Sequence, residues 1–300
     1  MINDWVISLC AWGSNYHEKL LKVALPSINA ALEYANISAQ FYIYTDDEKA
    51  LCGAYLRGDV EFRPVDHAKE ADHYRTYGNC DQTTLQTAPE DCRIAFLTSD
   101  IIVNLEFFAN AEKRFAQGKR AIIGSAARTL AALEDCPIGL PARKLLDWSF
   151  SRERRHPVTE GCFWGRGRNL VAWCTYFEGP HGIVAHAFHL HPFAVVNDRV
   201  LYFNGVTCDL DLIDRFTHDE LYVACDPEEF AFAEISGLEK VIPQLPAPIS
   251  IISIANWAKN WTTPMQRFLF THRIVVQGDG SDHLDEGPCE DILTLLKAMG

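Results

Sequence analysis

The chain has 300 residues, 48% of them hydrophobic and 22% charged, enough apolar material for an ordinary core and incompatible with a fibrous or disordered polymer. Its formal charge of −13 repels phosphate backbones and anionic lipid, which excludes nucleic acid and membrane surfaces as first partners. No apolar run approaches the roughly 20 residues that span a bilayer, and Met1-Ile2-Asn3-Asp4 lacks the basic start of a secretory signal, so no transmembrane segment and a cytoplasmic location are expected. Ten cysteines without a single CxxC pair read as reduced, packed thiols rather than a disulfide or zinc framework.

In chain order, Trp5 to Cys10 is an apolar run that predicts a buried strand, entering a loop at Ala11-Trp12-Gly13-Ser14. Asn15 precedes Glu18 by three residues, a capping-box-like start, and Leu21, Ala24, Leu25, Ile28, Ala31, Leu32 and Ala35 follow at helical spacing, with Pro26 expected to kink or divide the helix. A second strand, Phe41 to Tyr44, ends in Thr45-Asp46-Asp47, and a third is predicted over Val60 to Val65. Cys80 to Ala88 predicts a short helix stopped by Pro89. Two apolar runs, Ile94 to Leu97 and Ile101 to Val103, flank Thr98-Ser99-Asp100, and a helix over Leu105 to Gln117, ended by Gly118, leads to a strand over Ala121 to Ile123. Strands alternating with helices predict an α/β fold with a mostly parallel, Rossmann-like sheet flanked by helices.

Beyond Ser125 the pattern is less regular. Arg143 to Arg155 has helical character, Gly161 to Gly167 reads as loop, strand signals return over Val184 to Val196 and Val200 to Phe203, and Ile292 to Met299 predicts a closing helix. No repeat or low-complexity linker divides the chain. The expected organisation is one domain over 1–300, with a binding half over 1–125 and an irregular half over 126–300.

In an open parallel sheet ligands bind beyond the carboxyl ends of the strands, where loops and helix N-termini converge. Three predicted strand ends carry polar or aromatic groups suited to that place: Trp12-Gly13, Thr45-Asp46 and Ser99-Asp100. An acid after a strand also serves commonly as a helix cap or turn residue, so each alone leaves both roles open.

The run Ala95-Phe96-Leu97-Thr98-Ser99-Asp100-Ile101-Ile102-Val103, with the helix and Gly118-Lys119-Arg120-Ala121-Ile122-Ile123 that follow, resembles the strand, DxD turn and next strand of GT-A-type glycosyltransferases. Asp46 and Asp47 resemble the strand-end acids that lie near the nucleoside in that superfamily, and the likeness covers roughly the first 125 residues. The chain departs from the motif where Thr98 and Ser99 stand for its first two positions, leaving Asp100 alone. The resemblance implies a GT-A fold and transfer of a sugar from a nucleotide-sugar donor to a glycan or other hydroxyl acceptor, as in bacterial-type glycan or glycoconjugate synthesis. It also implies a divalent cation, Mn²⁺ or Mg²⁺, on Asp100, completed by a late histidine. Trp12, Gly13, Thr45, Asp46, Ser99 and Asp100 would then bind the donor.

The later half holds His181, His186, His189 and His191. On one strand His189 and His191 would face the same way and could ligate a metal, or pair as core histidines. Asp209 and Asp211, if extended, share a face and suit a general base or acceptor contacts, or a solvated acidic loop. Arg143, Lys144, Arg152, Arg154, Arg155, Arg166 and Arg168 form a basic stretch in an acidic chain. Arg166 and Arg168 suit bidentate phosphate binding, or a wet surface. Trp148, Phe163, Trp164, Trp173 and Tyr176 offer sugar-stacking rings or core packing. A metal-dependent hydrolase built on the His181 to His191 cluster, and a non-catalytic carbohydrate- or nucleotide-binding protein, are the alternative functions.

Overall fold

A computed structural model of the chain describes residues 4–65, 73–164, 174–179, 182–197, 212–237, 250–278 and 287–299. Arg166, Arg168, Trp173, His181, Asp209, Asp211 and the strand expected at 200–203 lie outside them.

The first half builds the sheet much as its apolar runs dictate. Strands β1 (Trp5–Ala11), β2 (Ala39–Thr45), β3 (Gly58–Pro64) and β4 (Cys92–Thr98) pair in parallel in the order β4-β1-β2-β3. The short β5 (Ile101–Val103) leaves this sheet and pairs elsewhere, while β6 (Ala121–Gly124) stays in it. Successive side chains of a strand point to opposite faces, and here both faces are covered. Ile7, Leu9, Phe41, Ile43, Ala95 and Leu97 meet Leu20, Leu25, Ile28, Phe107 and Phe108 on one side. Val6, Cys10, Tyr42, Tyr44, Ile94 and Phe96 meet Cys80, Leu85 and the later half of the chain on the other.

Helix α1 (Gly13–Lys19) runs through a π-helical segment, Leu20–Ala24, into α2 (Leu25–Tyr34) without a break. Pro26 therefore does not divide the helix: it falls in the first turn of α2, and the wider π turn before it relieves the clash of its ring with the preceding carbonyls. The π turn also shifts the helix's phase, so Leu20 and Val23 are buried while Leu21 is 36% exposed. Helix α3 (His73–Thr87) begins seven residues before the predicted Cys80, and α4 (Phe107–Ala116) covers the opposite face. The Ser8 hydroxyl lies 3.0 Å from that of Thr84 and 3.2 Å from the Asp81 carboxylate, and the Cys10 and Cys80 sulfurs lie 3.4 Å apart. These contacts set α3 antiparallel to β1, with its first turns at the carboxyl edge of the sheet.

The strand signals over Val184 to Val196 belong to two strands in different sheets. With β7 (Ala127–Thr129) and β8 (Cys174–Gly179) preceding them, β9 (Gly182–Ala187) joins a three-stranded antiparallel sheet between β8 and β13 (Ile274–Gly278), whereas β10 (His191–Asn197) enters the main sheet, antiparallel, between β4 and β6. Apolar residues continue on either side of His189 across the break because Phe188 and Leu190 are themselves fully buried. Strand β11 (Leu221–Val223) completes the seven-stranded order β11-β6-β10-β4-β1-β2-β3, and β12 (Phe232–Ile235) lies between β5 and β7. The fold is thus α/β, with a mostly parallel central sheet flanked by helices.

The helical stretch expected over 143–155 ends early, at Ser149 in α5 (Ala142–Ser149), and the short α6 (Pro157–Gly161) begins beyond it, while a third core gathers Phe177, Phe188, Ile254, Phe270 and Ile292 beneath α7 (Ile251–Trp261), α8 (Pro264–Phe270) and α9 (Gly287–Ala298). The nine described cysteines carry free thiols, and no described helix is long and apolar enough to cross a membrane.

Because β4 is bordered on both sides and packed on both faces, truncating Phe96, 1% exposed, to alanine should cost about 3–5 kcal/mol in urea unfolding. Val60→Ala on the edge strand β3, where Val60 is 41% exposed, should cost no more than about 0.5 kcal/mol. Equal costs at both positions would contradict the placement of β4 at the centre.

Candidate functional site

Strands β1, β2 and β4 are neighbours and run the same way, so Trp12, Asp46 and Asp100, each just past a strand, come to one edge of the sheet. The first helix starts there. Trp12 is extended, and Gly13 turns the chain with φ +73°, a left-handed conformation that glycine adopts without strain. The Gly13 amide donates to both Asp46 carboxylate oxygens, at 3.1 and 3.2 Å, so Asp46 satisfies the unpaired amide at the start of α1. His17 Nε2, one turn into the helix, lies 2.9 Å from the Thr45 hydroxyl and 3.2 Å from Asp46 Oδ1. Thr45 in turn accepts the Asp47 amide at 3.1 Å, and Asp47 caps the short turn that follows. Asp46 is therefore a cap whose side chain remains 41% exposed, while Asp47 is spent on its own loop.

Asp100 is held quite differently. Ser99 and Asp100 are buried, and Lys19, at the end of α1, brings its ammonium to 3.4 Å from Asp100 Oδ2 and donates to the Ile235 carbonyl at 3.0 Å. The side chains of this ion pair are only 8% and 7% exposed. The Ile235 amide returns a bond of 2.8 Å to the Asp100 carbonyl, tying β12 across the strand end.

Aromatic rings form the rim. Trp12, Tyr16 and Tyr77 are each partly exposed, with Trp12 5.6 Å from Tyr16 and 4.8 Å from Tyr77 between ring centres. The Lys19 ammonium sits 5.6 Å from the Tyr16 ring centre. Burial pushes the Tyr77 phenol well above its ordinary value, and the Asp100 carboxylate adds to that shift, so Tyr77 is a neutral hydrogen-bonding group at physiological pH.

The histidines do not converge as the single-strand reading requires. His189 lies in the bend between β9 and β10, its ring 5.8 Å from that of Trp257, and His191 is the first residue of β10. The β10–β4 ladder stops at Ala194 opposite Ala95, and His191 Nε2 reaches the Phe96 carbonyl beyond it at 2.9 Å. A carbonyl only accepts, so that nitrogen donates, and the bond fixes the ring beside β4. His186 Nδ1 likewise bonds the Phe270 carbonyl at 2.9 Å. Among the described residues no group of three His, Cys, Asp or Glu side chains could hold a metal ion. The donor set on these residues does not fit the divalent cation that the resemblance implies.

The basic stretch also disperses. Arg143 pairs with Glu228 at 2.8 Å, Arg154 stacks over Trp148 at 4.8 Å, and the buried Arg155 bonds the Phe150 carbonyl at 2.8 Å and Glu178 at 3.1 Å. Phe163 and Tyr176 are core residues, and the cavity near Tyr176, bounded by Ser125, Phe150 and Phe232, includes none of the strand-end groups.

Lys19, His17, Tyr16 and Tyr77 belong to this edge and were not singled out in the sequence. A signal for Lys19 was present: it precedes the buried Val23 and Ser27 at intervals of four, on one helical face.

No protein-family model and no curated protein sequence matches the chain. Among solved structures it is similar to S. aureus TarS residues 1–349 in complex with UDP-GlcNAc, at 10% identity and a TM-score of 0.38, over 98% of this chain and 71% of that one. Against a further TarS structure the values are 12% and 0.33, over 88% of this chain and 42% of that one. A Bacillus anthracis structure, assigned as a glucose-1-phosphate thymidylyltransferase and holding sucrose, matches at 11% identity and a TM-score of 0.29, over 43% of this chain, which spans 55% of its length.

Lys19→Met leaves a buried carboxylate without its ammonium and should destabilise the protein by about 3–5 kcal/mol in chemical denaturation, whereas K19M/D100L, which removes both charges, should return to within about 1 kcal/mol of the parent. Additive losses in the double variant would contradict the buried pair. Asp46→Ala should cost about 1 kcal/mol and Asp46→Asn less, since asparagine still caps.

Proposed function

We propose that the chain is a glycosyltransferase that moves a sugar from a nucleotide-sugar donor to a hydroxyl acceptor. What carries the reading is one arrangement: three adjacent parallel strands end together and present aromatic rings, a half-exposed carboxylate and a buried ammonium at the crevice where open α/β sheets bind nucleotides. The likeness of Ala95 to Val103 to the GT-A strand and DxD turn supports it from the sequence.

In this reading the rim of Trp12 and Tyr77 packs against the base, and Asp46 faces the ribose hydroxyls with its exposed edge. The phosphates lie toward Ser99 and the Lys19–Asp100 pair. The chemical demand is stabilisation of the departing nucleoside diphosphate, met electrostatically by fixed positive groups and hydrogen-bond donors. Arg166 and Arg168 at the phosphates, and Asp209 or Asp211 as acceptor-side base, complete the proposal from positions outside the described residues. A bacterial-type glycan or glycoconjugate as the acceptor is part of the same proposal.

Thermal unfolding in the presence of nucleoside diphosphates and their sugars tests this. At a concentration near 100 times Kd, a ligand specific for the folded state contributes about 2.7 kcal/mol, which for a chain of this size raises Tm by roughly 4 °C. Trp12→Ala should reduce that shift for the same ligand. No shift with any of the common nucleotides or nucleotide sugars would overturn the assignment.

A further inference from the structure

We propose that Asp100 is not a metal ligand in this protein and that Lys19 takes the place of the divalent cation there, so that the donor site works without a metal bound at Asp100. The proposal rests on the nucleotide-sugar reading for its functional half and on the geometry of the pair for the other.

A lone carboxylate at the end of β4 would repel a diphosphate, and a divalent cation is one way to reverse the local charge. An ammonium from the same chain is another. Lys19 Nζ stands 3.4 Å from Asp100 Oδ2, anchored at 3.0 Å to the Ile235 carbonyl, and both side chains are more than nine-tenths buried. A metal entering this position must displace a buried ammonium from its carboxylate and strand it in the core, a cost of several kcal/mol. It must also find further ligands. Thr98 and Ser99 stand where the motif has its other positions, His189 lies against Trp257, and among the described residues no group of three His, Cys, Asp or Glu side chains is placed to hold a metal ion. Neutralising Asp100 from within leaves the pair with no net charge and removes the repulsion that a lone carboxylate would exert on an anion at this edge.

The full-length protein, freed of metal with EDTA, would be titrated with Mn²⁺ alone while free Mn²⁺ is read by electron paramagnetic resonance. The parent is compared with Asp100→Asn and with K19M/D100L, the latter guarding against misfolding of the single variant. The expected result is one binding curve for all three proteins, whatever other sites the chain has. Loss of one equivalent of bound Mn²⁺ in both variants overturns the proposal. In parallel, the nucleoside diphosphate that gives the largest thermal shift is titrated calorimetrically in EDTA and in Mn²⁺. Affinities within about twofold support the proposal, and a gain of about tenfold with Mn²⁺ that Asp100→Asn abolishes overturns it. If no nucleoside diphosphate binds, the glycosyltransferase reading fails and the Mn²⁺ titration still decides the role of Asp100.

Discussion

The contact on which the carboxyl edge depends is the buried ion pair of Lys19 and Asp100. Lys19 belongs to the helix that follows β1, Asp100 to the turn between β4 and β5, and the Ile235 carbonyl, which shares the ammonium, to β12. Three segments more than 80 residues apart in sequence are thereby fixed at one point. Such a pair gains little net stability over an apolar packing of the same shape, because each charge must first be stripped of water. What it does is restrict geometry: an ammonium in the core tolerates few arrangements, and the one adopted holds the first helix against the end of β4.

That helix could not reach its place without the local chain around it. Gly13 makes the turn out of β1 with a positive φ, and Asp46 holds the freed amide, so the end of β2 sets the start of the helix that packs over β1 and β2. The π turn at Leu20–Ala24 follows, with Lys19 and Val23 buried on either side of Leu21, which is released to solvent. The polar layer of Ser8, Thr84 and Tyr44 beneath α3, with hydroxyls 3.0 Å apart, aligns that helix so that Tyr77 meets Trp12 at the rim. Backbone conformation, one cap and one hydrogen-bonded layer therefore position the rings that a ligand would meet.

The parallel part of the sheet was legible because β1, β2 and β4 are buried on both faces and show as short continuous apolar runs bounded by polar residues. The grouping of Trp12, Asp46 and Asp100 at one edge followed from that topology alone. Periodicity was blind to two other features. The run from Val184 to Val196, apolar but for three histidines and a proline, gives no sign of where the chain leaves one sheet for another, and His189 falls before the strand that His191 begins. The partner of Asp100 lies 81 residues away, and no local pattern reports a contact formed only by folding. Asp46 was legible in place yet ambiguous in role, since capping and ligand binding ask for the same residue at the same strand end.

Net charge alone would argue against an anionic ligand, as −13 on 300 residues repels a diphosphate at a distance. At physiological ionic strength that repulsion is screened over about 8 Å, so the groups within contact range decide whether an anion can rest at the edge. There the acids are already engaged. Asp100 faces an ammonium, Asp46 takes a backbone amide and lies 3.2 Å from an imidazole, and Asp47 is turned into its own loop. Each interaction is structural in origin, and the Lys19 ammonium cancels one of the negative charges at the edge outright. Net charge is therefore a poor guide to what this edge accepts, because its carboxylates are engaged by the chain itself.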